Sequence, residues 1–456
     1  MKVNKEDNLN RLIKNASSLL NKYFRQNYTF GVDCLDAVGR YILDFGRSTL
    51  LIISKSRWVL PLRSEILKVF NKYKIKVAAE FPAASPNTPY EDVVALSEVI
   101  KKVTPESITC VGGGSAIDCA KAANALASLG DNSDGLNLFF GVGEVSKIAD
   151  KKGNRLFPLI AVMVAAGSAS HLTKHSNVTF LKAGEKKVIS DDMLIPDRAV
   201  FDYKTTLTAP LEVTLDGAMD GLSHCLEVYY GISPEKNGDE EFKNIENACL
   251  TAITLILDCL PELAGDLKNL KYRQAIGLAT DLGGYALTKG WTNMPHINSF
   301  GIVDIVSHGR ACGLLNPYYT VFFASTVRDK LIKLLEIYRN YIDNENLYIF
   351  DYLKDSGKGA IKDMSSDISS KQIGEILAKA MINFSLKLGF PVKLDQINGF
   401  SDKHINRMLE IARSPRFENR LKNMPIPLDG QMVDKYIRAV ILAAKSGNFS
   451  LIPEVK

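Results

Sequence analysis

Short apolar runs alternate with longer segments of helical period through the first two hundred residues, and that alternation predicts the fold. Residues 49–54 (TLLIIS), 76–81 (KVAAEF), 108–111 (ITCV) and 157–164 (FPLIAVMV) are brief, nearly continuous apolar stretches of the kind a strand buried on both faces requires. Between them, residues 58–73 and 90–103 repeat apolar positions at intervals of three and four, which predicts helices, and SPNTP at 85–89 breaks the chain. Strands alternating with helices build right-handed βαβ units around a parallel sheet open at its carboxyl edge. Residues 1–40 read as one or two polar helices and a connector leading to the first strand, and 133–156 as a polar, glycine-containing excursion.

From about residue 206 the period changes. TAPLEVTLDGAMDGLSHCLEVYYG, FKNIENACLTAITLILDCLPELAG, KYRQAIGLATDLGGYALTKG and the amphipathic segments up to Lys445 are helical by spacing and length, with scarcely a strand-like run. The polar stretch at 354–370 reads as a surface excursion. The expected organisation is an α/β domain over 1–205 and an all-helical domain over 206–456.

Composition narrows the function classes. A chain of 456 residues with 46% hydrophobic content can bury two sizeable cores. A formal charge of +5, with both signs interspersed, demands neither nucleic acid nor a membrane surface. Seven cysteines without a C-x-x-C pair suit a reducing compartment. The polar N-terminal residues do not resemble a signal peptide, and the chain is expected to be cytoplasmic and soluble.

Two stretches carry candidate phosphate chemistry. Gly112, Gly113 and Gly114 follow a strand directly, and Ser115 opens a helix with Asp118 in its first turns. Backbone N–H groups at such a start can face a pyrophosphate, and glycine leaves room for its approach. The run lacks the third glycine of the G-x-G-x-x-G fingerprint, so a nucleotide site and a plain tight turn both fit it. AAGSASHLT (165–173) also follows a strand and offers the Ser168 and Thr173 hydroxyls to a second side of a cofactor, or simply caps a helix.

The candidate metal chemistry lies between Asp216 and Pro317. Asp220 and His224 stand four apart in a segment of helical period, so both leave one face. Only six histidines exist, and His224, His296 and His308 all fall in this window. One carboxylate and three imidazoles make a divalent-metal set; packed core histidines are the alternative. Cys225 and Cys312 adjoin these positions and invite a thiolate reading, although Cys225 points about a hundred degrees from His224 on the same helix.

GGGSAID after one strand, AGSASHLT after a later one, LIPDRAVFDYKTTLTAP leading into AMDGLSHCLE, and PH…SHGRACGLLNP together resemble the iron-containing alcohol dehydrogenase family, relatives of glycerol dehydrogenase and dehydroquinate synthase. The resemblance runs from about Phe45 to the closing helix. It implies a dinucleotide-binding half, a helical half and a cleft between them that holds a nicotinamide beside one divalent metal, Fe²⁺ first and Zn²⁺ second. It assigns Asp220, His224, His296 and His308 as ligands, Gly112 to Ser115 with Asp118 as the phosphate loop, and a homodimer as the default assembly. Ala169, Ser170 and His171 replace a common Gly-Ser-Glu, and Phe300 replaces a further histidine, which leaves Asp304 and ordered water as the candidates for a proton relay.

Two finer expectations follow. After the strand LLIIS stand Lys55 and Arg57 with no carboxylate, which favours NADP over NAD. Apolar neighbours of the ligands, with Phe300 as one wall, favour small aliphatic primary alcohols and aldehydes over polyols and phosphorylated substrates. A polyol dehydrogenase and a dehydroquinate-synthase-like lyase are the rivals on this scaffold; the lyase would need several cations, and the segments offer chiefly Lys289 and Arg310.

Overall fold

A computed structural model describes residues 5–24, 27–130, 135–349 and 368–455. By its internal contacts the chain groups into two units, Met1–Gly221 with Glu262–Thr288, and Leu222–Pro261 with Lys289–Lys456. Compared with a division after residue 205, the first unit also takes in two helical segments, one of them the start of the helix that carries Asp220.

The first unit holds a six-stranded sheet made of β1 (Tyr28–Gly31), β2 (Ser48–Ile53), β3 (Lys76–Pro82), β4 (Ser107–Gly112), β6 (Leu159–Met163) and β9 (Arg198–Asp202). Its order is β1-β9-β6-β4-β2-β3, and every pairing is parallel. The expected strands are present within a residue or two of their predicted limits. β1 and β9 are additional: the first has only four residues, and the second has three apolar residues between Arg198 and Asp202, so neither shows a long apolar run. A second sheet joins β5 (Gly141–Val142) to the antiparallel pair β7 (His175–Phe180) and β8 (Glu185–Ser190). Helices α1 (Lys5–Phe24), α2 (Ala37–Leu43), α3 (Leu60–Tyr73), α4 (Tyr90–Val103), α5 (Gly114–Leu129) and α6 (Glu144–Lys152) complete the alternation. On one sheet face Leu51, Val111, Ile160, Val162 and Val200 pack against Val38, Ile42, Ile66 and Phe70 of α2 and α3. Each such side chain contributes about 1.5–3 kcal/mol on burial. α5 is buried almost all round, which explains its alanine-rich, weakly amphipathic sequence.

Helix α7 (Leu211–Gly231) begins in the first unit and ends in the second. α8 (Pro234–Asn237) and α9 (Asp239–Gly265) follow, then α10 (Leu270–Lys289), α11 (Met294–Ser299), α12 (His308–Phe323) and α13 (Arg328–Ile337). Further helices span Ser370–Lys387, Asp402–Arg413 and Arg438–Ser446. α9 is long and apolar enough to cross a membrane by length and composition, but it is mostly buried in the fold, as a core helix is. The polar stretch at 354–370 falls, apart from its last three residues, outside the described residues.

Candidate metal centre and nucleotide loops

The triple glycine ends β4 and caps α5, with Gly113 at the cap position and no side chain bonded across it. A Cβ on Gly112 would stand 2.4 Å from the Ala116 Cβ, and one on Gly114 would stand 2.3 Å from Ser168 Oγ. A Cβ on Gly113 would meet nothing closer than 3.8 Å, so packing does not require glycine there, as expected where a ligand approaches backbone. The Gly114–Ser168 approach brings the two small-residue stretches together. A third wall was not anticipated: Asn87 N donates to Ser115 Oγ at 3.0 Å and Thr88 Oγ1 to the Ser115 carbonyl at 3.1 Å. Both wall residues have left-handed backbone, φ 66° and 53°. Lys55 is exposed just after β2, and its neighbour Ser54 donates from N to the Val111 carbonyl at 3.2 Å, which sets the basic turn beside the glycines.

The second stretch is held from several sides. Ala169 is left-handed at φ 49°, a conformation that costs a non-glycine residue of order 1 kcal/mol or more. Three carbonyls of the region, from Ser170, Thr173 and His175, accept from Lys121 Nζ at 2.6, 2.7 and 2.9 Å. Burial lowers that ammonium to about 8, against the opposing pull of Asp118. Asp118 itself accepts from Ser170 Oγ, and its other oxygen accepts from Asn177 N and Nδ2 at 2.9 and 3.0 Å. The structure thus commits Asp118 and the Thr173 carbonyl to holding the loop. His171 Nε2 lies 3.3 Å from Asp281 and 3.2 Å from Tyr28 Oη, while Tyr28 donates to Asp281 at 2.5 Å. Gly167 meets Gly217 of α7, where a Cβ on Gly217 would stand 1.9 Å from the Ala166 carbonyl oxygen. Larger residues there would push the loop off the helix that carries Asp220.

Within the second unit, donor atoms of His296, His308 and Cys312 lie within 4.8 Å of one another. Asp220 is two residues short of the boundary within α7 and shares that continuous helix with His224, one turn on. α11 brings His296, and α12 opens with His308 and carries Cys312 a turn later. His224 is not in that tight set, but its ring stacks on His296 with centroids 4.8 Å apart, and His296 and His308 are 5.1 Å apart. Two imidazoles bound through nitrogen to one ion at about 2.1 Å place their centroids about 5 Å apart, so both ring pairs that include His296 have the spacing a shared ion imposes. The donor types, carboxylate, imidazole and thiol, suit a first-row divalent metal.

The surroundings fix which ring nitrogens are available. Glu227 Oε1 accepts from His296 Nδ1 at 2.6 Å, and Oε2 accepts from Asn293 N at 2.8 Å. A carboxylate only accepts, so His296 carries its proton on Nδ1 and presents Nε2 as a lone pair. Ser299 Oγ donates to the His296 carbonyl at 2.7 Å and therefore meets His308 Nδ1 at 2.9 Å as an acceptor. The same tautomer follows for His308. Arg420 compensates the buried Glu227 charge; burial lowers its guanidinium to about 10 while Glu227 pulls it upward. Glu227 follows His224 by three residues on α7, a spacing that would have marked it as a same-face neighbour.

Phe300 is buried with its ring stacked on His308, centroids 5.8 Å apart, and lies 6.0 Å from Phe417. Met294 and Ile297, the apolar neighbours of His296 in sequence, are fully buried in the core. Asp304 pairs with Arg407, whose Nε donates to the Gly301 carbonyl at 2.6 Å, and stands 3.5 Å from His404. That pairing gives Asp304 a structural duty.

The profile of iron-containing alcohol dehydrogenases matches residues 25–203, and that of the family's C-terminal region matches 214–347. The chain belongs to the iron-containing alcohol dehydrogenase family. As a member it is an enzyme of the NAD-dependent alcohol dehydrogenase type, and the family ties it to an iron-type metal. It is 24% identical over 312 residues to the NAD-dependent methanol dehydrogenase of Bacillus methanolicus, covering 67% of this chain and 77% of that one. It is 28% identical over 306 residues to alcohol dehydrogenase 4 of Saccharomyces cerevisiae, covering 66% and 75%. The fold matches a crystal structure of 1,3-propanediol oxidoreductase with a TM-score of 0.73 at 21% identity, over 92% of this chain and 98% of the other.

Proposed function

We propose that this iron-containing-type dehydrogenase interconverts small, mainly aliphatic primary alcohols and their aldehydes, with NADP preferred over NAD. The observation that carries the metal part is the 4.8 and 5.1 Å spacing of the His224, His296 and His308 rings, with Asp220 one turn before His224 on α7. On this reading those four residues hold the ion. An ion held there would polarise an alcohol or carbonyl oxygen, and the nicotinamide would exchange the hydride.

The chain's own residues do the rest. Glu227 and Ser299 keep two rings in the tautomer that can bind a cation. Backbone N–H groups at the start of α5, with Ser168 opposite, cradle the pyrophosphate, and Lys55 meets the 2′-phosphate. Phe300 walls the substrate space with an apolar face; burying an unpaired hydroxyl against it costs about 1–3 kcal/mol, which disfavours polyols.

The lyase reading weakens at its cations. Lys289 pairs with Glu241 at 2.8 Å, and the Arg310 guanidinium lies 4.7 Å over the Phe390 ring. Comparing kcat/KM for butanol, butyraldehyde, glycerol and a glycerol phosphate, before and after chelation, tests the whole proposal. The aliphatic pair is expected to lead and chelation to abolish turnover; a preference for glycerol or its phosphate overturns the substrate class, and activity that survives complete metal removal overturns the metal role.

A further inference from the structure

Cys312 occupies a place that packing alone does not explain. It follows His308 by one helical turn on α12, so both side chains leave the same face. Its sulfur joins donor atoms of His296 and His308 in a compact set within 4.8 Å of one another. Cys225 provides the contrast: adjacent to His224 in sequence, it turns away and interacts with Cys249 in the helical core, as a small apolar residue would. Of the seven cysteines, only Cys312 joins metal-type donors among the described residues.

We propose that Cys312 is a ligand of the bound ion, so that the resting donor set contains sulfur as well as nitrogen and oxygen. The inference rests on the metal centre proposed above. Donors about 2.0–2.3 Å from one ion stand about 3.5 Å apart, so the set needs to contract by about 1 Å, within the reach of side-chain rotation. As the sulfur–metal bond forms, the thiol gives up its proton to solvent. Asp220 and the thiolate then balance a divalent charge among neutral imidazoles. A soft sulfur donor shifts metal choice away from Fe²⁺ and towards Zn²⁺.

The test is X-ray absorption at the zinc edge on the full chain loaded with Zn²⁺, together with the ultraviolet charge-transfer band of the Co²⁺ form. The expected result is a sulfur neighbour at about 2.3 Å and a thiolate band, both lost in C312S and C312A while the metal stays bound. In mixed-metal competition, C312S should retain Fe²⁺ relative to Zn²⁺ several-fold better than the parent. A parent protein that binds metal through nitrogen and oxygen neighbours only overturns this inference and leaves the metal centre standing. A parent protein that binds no metal overturns the metal centre itself, and this inference with it.

Discussion

Glu227 grips the Nδ1 edge of His296 at 2.6 Å from a fully buried position, and one carboxylate thereby sets the tautomer and aim of an imidazole on another helix. The same side chain accepts from Asn293 N at the start of α11, so it also fixes where that helix begins. Replacing it by glutamine keeps the shape but removes the charge that stabilises the ring. Glu227→Gln is expected to lower metal affinity about 10–100-fold while the fold persists. A competition titration with a chromophoric chelator reads this directly; parent-like affinity would remove Glu227 from the orienting role.

His308 is the proposed ligand whose removal tests the ring cluster most cleanly, because it opens α12 rather than sitting within a packed helix. His308→Ala should lose both bound metal and turnover with little change in circular dichroism. Stoichiometric metal in the purified variant would sink the ligand set.

Lys55 sits in an exposed turn, so changing it disturbs no packing. If it meets a 2′-phosphate, Lys55→Asp should reverse the coenzyme preference, lowering kcat/KM for NADP at least tenfold and sparing NAD. An unchanged ratio of the two would count decisively against the NADP preference.

Lys121 joins α5 to the second loop through three carbonyls. Lys121→Met leaves those carbonyls without their donor and should cost about 3 kcal/mol or more in urea unfolding, from about 1–3 kcal/mol per buried group. The pH dependence has a definite sign. Burial lowers this amine from 10.5 to about 8, so between those values the unfolded chain binds the proton more tightly than the folded protein does. Stability contributed by this group therefore rises with pH across that window and is flat below it. The methionine variant should lack the rise; equal slopes for both proteins would place the titration elsewhere.

Much of the fold was legible because its signals are local. The continuous apolar runs at 49–54 and 108–111 and the exact helical stretch at 90–103 announce a buried parallel sheet without reference to anything distant. β1 and the β7–β8 hairpin escaped because four residues, or a hairpin with Lys186 and Lys187 in one arm, carry too little periodicity to separate from loop. The Asp220–His224 spacing placed two groups on one face of α7 for the same local reason.

What the sequence could not decide is which distant groups converge. His296 reaches His224, His308 and Cys312 only through the packing of α7, α11 and α12, and no spacing rule fixes a ring direction across separate helices. Asp118 and Asp304 looked available for chemistry because a sequence shows charge but not its partner; folding committed one to Ser170 and Asn177 and the other to Arg407. By itself, then, the sequence determined the strand and helix order, the glycine turn and the family, since each rests on neighbours along the chain. The tertiary structure alone decided that Glu227 and Ser299 orient the imidazoles and that Cys312 stands among them, because hydrogen bonds and donor sets are made between residues that only packing brings together.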